Sequence, residues 1–358
     1  MSASESTHSS YSLQSEDPEK NPTYLALKNF WHPVCYANEL RDEPKQITLF
    51  NQNICVSRIG AEVVAFEDRC CHKGAALSLG TITDAQTIQC HYHGWEYDVS
   101  GKIVKIPARE EFVASIKRTL KKYHAKESTG LIWVCIAENP KYPVPDFPEF
   151  SDPDYKVLQG EAYDWATSTP RRLENFVDFA HFAFVHPDSI GTPDHARVEA
   201  VKIWREGGVL RFDRSGIPEP STPAKKKLMG IEDMELIEAV NTYHVTMPHT
   251  VHLKRDFPRG ARYVLLMSVS PISATQARSF WFQARDFGMD EIHDKFFMDY
   301  EKHVLAQDKP IIESQRPIQI YFSGELARQE LPLAHADAVT IEYRRWLHEL
   351  TREFENDH

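Results

Sequence analysis

Residues 70–97 read CCHKGAALSLGTITDAQTIQCHYHGWEY, and the four metal donors in this stretch organise the reading of the whole chain. Cys70 and His72 form a C-x-H pair and Cys90 and His93 a C-x-x-H pair. Residues 73–89 between them are long enough for a hairpin that brings the two pairs together. Two pairs delivered from two separate loops are what a four-ligand site requires. Donor type alone admits zinc or iron–sulfur. Zinc sites usually pair Cys with Cys and His with His, whereas here each loop supplies one of each. That is the pattern in which one iron of a two-iron cluster takes both thiolates and the other both imidazoles. Gly74 and Gly94 allow backbone amides to come close to cluster sulfurs, and Trp95 and Tyr97 can cover the cluster from water. Cys71, lying between two ligands, is read as a small packing residue. A structural zinc ribbon is the competing reading of the same donors.

Outward from these loops the flanks are β-rich. The segments at 47–60 (ITLFNQNICVSRIG), 62–70 (EVVAFEDRC), 99–107 (VSGKIVKIP) and 130–140 (GLIWVCIAENP) read as short strands separated by turns, which predicts a small antiparallel barrel or sandwich over residues 24–140. Proline then clusters in ENPKYPVPDFPEF, which marks residues 141–154 as a stiff, extended connector. From residue 155 to 358 the pattern is α+β. TPRRLENFVDFAHFAFVHP at 169–187 reads as one helix stopped by Pro187. Alternating stretches at 201–215, 241–255, 262–270 and 279–287 predict one antiparallel sheet with a solvated or helix-covered face. Helical patterns return at 289–317 and 336–355. The first 23 residues are polar and Ser-rich, and a disordered tail is expected there.

Composition narrows the function classes. A chain of 358 residues suggests two domains, each able to bury a core. The net charge of −11 argues against a nucleic-acid binder. No apolar run is long enough to span a membrane, and the N-terminus lacks the apolar middle of a secretory signal, so the cytoplasm is the expected compartment. Six cysteines in a chain of this length do not make a disulfide framework and are better read with the histidines as metal-binding.

A second constellation lies at 174–187, ENFVDFAHFAFVHP. On a helix Asn175, Asp178 and His181 share one face. His186 falls about 140° further round, so both imidazoles reach one ion only where the helix distorts or ends. An H-x4-H pair is weak by itself, but the Asp, Asn and Pro around it strengthen the signal. A mononuclear oxygenase iron needs two His and one carboxylate on one face. The carboxylate must come from elsewhere. Asp308, after an amphipathic helix and before Lys309-Pro310, is the first candidate, and Glu313 is the alternative.

Taken together, WHPVC, LSLG, HYHGWEYD, ENFVDFAHFAFVHP, DKPIIESQ and YRRWLHEL resemble the oxygenase subunits of Rieske non-heme iron enzymes across nearly the whole chain. Among them the sequence looks most similar to methylxanthine N-demethylases and saxitoxin-pathway hydroxylases. Position 73, commonly Arg in that family, is Lys here. The resemblance implies an all-β Rieske domain holding a [2Fe-2S] cluster on Cys70, His72, Cys90 and His93. It also implies a catalytic domain of helix-grip type with Fe(II) on His181, His186 and Asp308. Electrons from NAD(P)H would enter through a separate reductase, with or without a ferredoxin, since the chain has no dinucleotide fingerprint of its own. One atom of O₂ would be inserted into a small heterocyclic or aromatic substrate, by hydroxylation or by N- or O-demethylation. The family further implies a homotrimer in which the cluster of one subunit serves the iron of the next. Asp178 would then bridge His93 of one chain and His181 of its neighbour, although the same residue could simply fix the His181 tautomer within its own chain.

Asn175 is expected to face the cavity, and Tyr243, Val245, Met247 and Trp281 are the candidate substrate contacts. The lysines at 225–227 are expected in a mobile loop over the entrance. The competing functions are a cis-dihydroxylating dioxygenase of the same superfamily and a non-catalytic electron-transfer or zinc-binding protein.

Overall fold

The computed structural model describes residues 17–187, 189–215, 219–221 and 223–357. The expected tail falls mostly on residues 1–16, outside the described residues. Residues 17–23 are folded: Asn21 caps the helix Pro22–Ala26 through a bond from the Thr23 amide, 2.8 Å, and this helix packs on the C-terminal helix Ala338–Asp357.

The N-terminal part is built on a six-stranded antiparallel sheet in the order His32–Tyr36, Leu131–Cys135, Lys122–Ser128, Glu62–Glu67, Gln52–Ile59, Lys45–Leu49. A second, four-stranded antiparallel sheet runs from Thr81–Ile82 to Ile103–Lys105 and carries the two donor loops at its end. This matches the β-rich domain expected from the short apolar runs. The proline-rich segment packs against both large sheets, the six-stranded one and the eight-stranded one of the second part. Phe147 is buried with Tyr36, Trp133 and Phe280, and the Phe147 amide donates to Thr129 Oγ1 at 3.0 Å.

The second part is an eight-stranded antiparallel sheet, its main path running Lys156–Gln159, Gln276–Arg285, Arg262–Ser273, Thr250–Asp256, Val240–Thr246, Val209–Ser215, Ile203–Glu206. Helices Thr169–Val177, Asp294–Ser314 and Ala338–Asp357 bury their apolar faces on one side of it, through Leu173, Leu305 and Trp346 among others. Among the described residues no helix is long and apolar enough to cross a membrane. The two parts share one core, and the joints are backbone as well as side chain. The Phe50 and Asn51 amides donate to the Pro271 and Ile272 carbonyls at 3.0 and 2.8 Å, and Ser270 Oγ donates to the Pro33 carbonyl at 2.7 Å.

Strand register decides which side chains share the helix-covered face. Phe212, Tyr243, Leu253, Leu265 and Gln283 form one cross-strand row, and Leu210, Val245, Val251, Met267 and Trp281 form the next. The second row is sealed in the core. Trp281 is 1% exposed, and its ring lies so close over Gly160 that a Cβ there would fall 1.8 Å from it. The Trp281 amide and carbonyl are both engaged by the Tyr36 hydroxyl, at 3.1 and 3.3 Å. Trp281→Ala is therefore expected to destabilise the fold by about 3–5 kcal/mol. Denaturant unfolding checks this, and a loss near zero would show that the ring is not part of the core.

Candidate functional site

The two donor loops have the same local build. The Cys70 amide donates to the Ala75 carbonyl at 2.7 Å and the Gly74 amide to the Cys70 carbonyl at 2.9 Å. The Cys90 amide donates to the Trp95 carbonyl at 2.9 Å and the Gly94 amide to the Cys90 carbonyl at 2.9 Å. Closing each loop takes a residue at positive φ, +77° at Gly74 and +71° at Gly94, where a side chain is disfavoured. The pairing of Gln89 with Glu96 and of Thr81 with Gln89 sets the loops side by side. His72 and His93 rings then lie 4.4 Å apart, and Trp95 stacks on His72 at 4.5 Å. The Cys70 and Cys90 thiols point inward and are buried, whereas His93 is exposed. Tyr97 OH lies 3.0 Å from Cys70 Sγ and 3.4 Å from Cys71 Sγ.

This donor set fits a cluster with two thiolate and two imidazole ligands. His72 Nδ1 is buried and has no hydrogen-bond partner among the described residues, which is costly unless a ligand takes it. Burial pushes the Cys90 thiol up, while amides of Tyr92 and His93 act in the opposite sense by hydrogen-bonding its sulfur. Such amides stabilise negative charge on sulfur.

The helix that begins at Thr169 does not reach Pro187. It ends at Val177, because Asp178 adopts an extended conformation (φ −83°, ψ 129°) and its carboxylate accepts the Ala180 amide at 2.8 Å. Asn175, Asp178 and His181 thus do not share one helical face. A separate short helix, Phe182–Val185, carries His181 and His186 at its two ends. Facing it is helix Asp294–Ser314, in which Asp308 is buried. Asp308 lies inside that helix, which continues through Pro310, and not after its end. His186 Nε2 is 3.0 Å and His181 Nε2 3.4 Å from Asp308 Oδ1, and one donor atom from each residue lies within 4.8 Å of the others. Glu313 is turned away, with Oε1 accepting the Ala166 amide at 2.8 Å.

Second partners aim all three. His181 Nδ1 lies 3.5 Å from Asp178 Oδ2, and His186 Nδ1 lies 2.9 Å from Gln307 Oε1. With Nδ1 engaged on each ring, both Nε2 atoms face the same point. Asn175 Nδ2 donates to Asp308 Oδ1 at 3.2 Å and is itself held by Arg172 at 2.6 Å. Burial would raise the Asp308 carboxyl, but hydrogen bonds from both histidines outweigh it and hold the group well below the ordinary carboxylate range. Burial would lower His181, but Asp178 and Asp308 outweigh it and push the ring up to about 9. The pocket attracts positive charge, and two imidazoles with one carboxylate fit a divalent iron whose remaining positions stay open.

A cavity opens from these donors along the sheet. Asn175 and Tyr243 line it. Val245, Met247 and Trp281 do not. Alternation along a strand fixes which face a side chain takes, not how far along that face the cavity extends. Lys225 is another departure: it sits in helix Pro223–Met229, buried, and pairs with Glu219 at 3.3 Å.

Comparisons with known proteins agree with this geometry. Residues 30–124 match the Rieske [2Fe-2S] domain model, and residues 165–353 match that of the vanillate O-demethylase oxygenase C-terminal domain. The chain belongs to the Rieske oxygenases. Methylxanthine N3-demethylase NdmB of Pseudomonas putida is 32% identical to this Rieske oxygenase over 93% of the chain and 91% of its own length. Methylxanthine N1-demethylase NdmA of the same species is 32% identical over 90% of the chain and 89% of its length. The solved structure of Pseudomonas putida CBB5 NdmA with caffeine superposes with a TM-score of 0.83 at 31% identity, covering 94% of each chain. Members of the family work with a [2Fe-2S] cluster and a mononuclear iron, and this one is a terminal oxygenase of the monooxygenase type. The readings as a zinc protein or a non-catalytic electron carrier fall with that membership. The sequence patterns of this Rieske oxygenase do not single out Gln307 or Arg172. Gln307 stands next to Asp308, which is the one signal that could have found it.

Proposed function

We propose that this Rieske oxygenase removes a methyl group oxidatively from a small nitrogen heterocycle, taking electrons from a separate reductase, directly or through a ferredoxin, in the cytoplasm. The observation that carries the reading is the convergence of His181, His186 and Asp308 in the lining of a cavity walled by Phe179, Phe182, Leu253 and Leu265. The names of the similar proteins point to the same chemistry. Cys70, His72, Cys90 and His93 would hold the cluster, and His181, His186 and Asp308 the iron. When bound, the two groups supply electrons and activate O₂ for insertion of one oxygen atom into a C–H bond.

The chain's own residues do the positioning. Asp178 and Gln307 fix the tautomers of His181 and His186, and the Arg172–Asn175 pair steadies Asp308. The apolar wall keeps bulk water from the oxidising end. The Asp178 side chain is 34% exposed while it holds His181, so it keeps a face that another subunit can reach, and His93 is exposed on its own domain. These features support a homotrimer in which Asp178 links the cluster domain of one chain to the iron site of the next.

Fully loaded protein is expected to contain about three irons per chain with acid-labile sulfide. With a surrogate reductase it should consume O₂ and release formaldehyde from at least one member of a panel of N-methyl heterocycles. Stoichiometric zinc in a colourless protein purified without oxygen would refute the metal assignment. O₂-dependent hydroxylation without formaldehyde would refute the demethylation.

A further inference from the structure

The sheet side of the cavity carries charge that the oxidation chemistry does not use. Cross-strand register sets Arg214, Asn241, Arg255 and Tyr263 in one row, next to the row that contains Tyr243. All four line the cavity, as does Lys225. Glu219, 1% exposed, is the buried carboxylate between two of these cations, and both of its oxygens are taken. Oε1 accepts from Arg255 at 3.0 Å and Oε2 from Lys225 at 3.3 Å. Lys225 also donates to Tyr300 OH and the Ser189 carbonyl, and Arg255 to Asn241 Oδ1.

Arg214 is different. It is 7% exposed, its guanidinium lies 4.0 Å from the centre of the Phe179 ring, and Nη1 is buried with no partner among the described residues. Burial drags the group down to about 10, while Tyr243 and Asp178 act in the opposite sense, so it remains charged at neutral pH. A buried cation with an unpaired donor is costly unless something supplies the missing acceptor. Glu301, the other acid besides Asp308 among the described lining residues, does not offset it fully, because burial pushes its carboxyl up to about 7. The iron, when bound, adds further positive charge.

We propose that the natural substrate carries an oxyanion, a carboxylate in the simplest case, which Arg214 binds in this cavity while the carbon to be oxidised faces His181, His186 and Asp308. The proposal rests on the cavity being the substrate site, as inferred above. It adds a charge requirement that demethylation itself does not need.

The test is calorimetric binding under anaerobic conditions, using metal-loaded full-length protein with 1-methylindole-3-carboxylate and its primary carboxamide as a matched pair. The carboxylate is expected to bind at least about tenfold more tightly, a difference of about 1.4 kcal/mol. Arg214→Gln should bring the two ligands to within about twofold of each other, and Arg214→Lys should keep part of the preference. The ligand-free Arg214→Gln protein should unfold no earlier than the parent, because it loses a buried charge whose Nη1 has no hydrogen-bond partner among the described residues. Earlier unfolding would mean that Arg214 is a structural charge and would overturn the proposal. Equal binding of the pair, binding of neither, or a preference that survives Arg214→Gln would overturn it as well. The two readings fail separately. An Arg214-dependent preference with no formaldehyde from any probe leaves the anion site standing and sinks the demethylation. Formaldehyde from neutral N-methyl heterocycles without charge preference does the reverse.

Discussion

Asp308→Ala chains are expected to lose the mononuclear iron and all measurable turnover while keeping the visible spectrum of the Rieske cluster. Asp308 Oδ1 is the point at which Asn175, His181 and His186 meet, at 3.0–3.4 Å, and no other described carboxylate lies within the donor group. Removing it takes away the one anionic ligand and leaves buried donors without an acceptor. His181→Ala should behave alike, because the remaining His186 and Asp308 make only two ligands. The cluster should survive both changes, since Cys70, His72, Cys90 and His93 lie on loops of the N-terminal sheets. Glu313→Ala is the control: its carboxylate accepts a backbone amide well away from the donors, so iron and turnover should persist. Iron analysis beside the visible spectrum decides the matter. An Asp308→Ala protein that kept its full iron, or a Glu313→Ala protein that lost the mononuclear one, would show that the third ligand has been misassigned.

Asp178→Ala should keep both metals and the assembly, yet lose turnover by about 10²-fold or more, beyond the usual cost of removing a residue that only orients a ligand. Reduced protein mixed with substrate and O₂ would retain the reduced cluster absorbance instead of losing it quickly. Asp178→Asn should also be severely impaired, because an amide can hydrogen-bond the His181 ring but lacks the charge that holds the two imidazoles. Mixed assemblies separate the bridge between chains from an internal role. Asp178→Ala chains keep the cluster, and Cys90→Ala chains keep Asp178 and the iron site, so a complete route exists only where the two kinds of chain adjoin. Activity restored on co-assembly supports transfer between subunits. Well-formed mixed assemblies with none would place the route within each chain and refute the bridge.

Much of the metal chemistry could be read directly, because its signals are local. Cys70/His72, Cys90/His93 and His181/His186 are each brought near one another by a few residues of chain, and the loops are closed by glycines beside the donors. The β-rich and α+β halves could be read for a similar reason, since alternation and helical periodicity are set by neighbours in sequence. Where competing local signals met, the reading failed. Asp178 ends a helix that periodicity alone would carry to Pro187, because its carboxylate offers the Ala180 amide a better partner than the next helical turn. Asp308 sits within a helix in spite of Pro310, a residue that usually marks an end.

What only the tertiary structure decided is which distant residues share a space. Asp308 rather than Glu313 meets the histidines because the packing of helix Asp294–Ser314 turns one carboxylate toward them and the other away. Tyr243 reaches the cavity whereas Val245 and Trp281 are sealed beneath the helices, although all three lie on one face of the sheet. Lys225, the first of three consecutive lysines, is buried against Glu219, and Arg214 joins Arg255 through the register of three strands. By itself the sequence determined the kinds of metal group and singled out the candidate donors, because ligand chemistry needs particular residue types at short spacings. The shape and charge of the cavity come from strand register and helix packing, which depend on contacts between residues far apart in the chain.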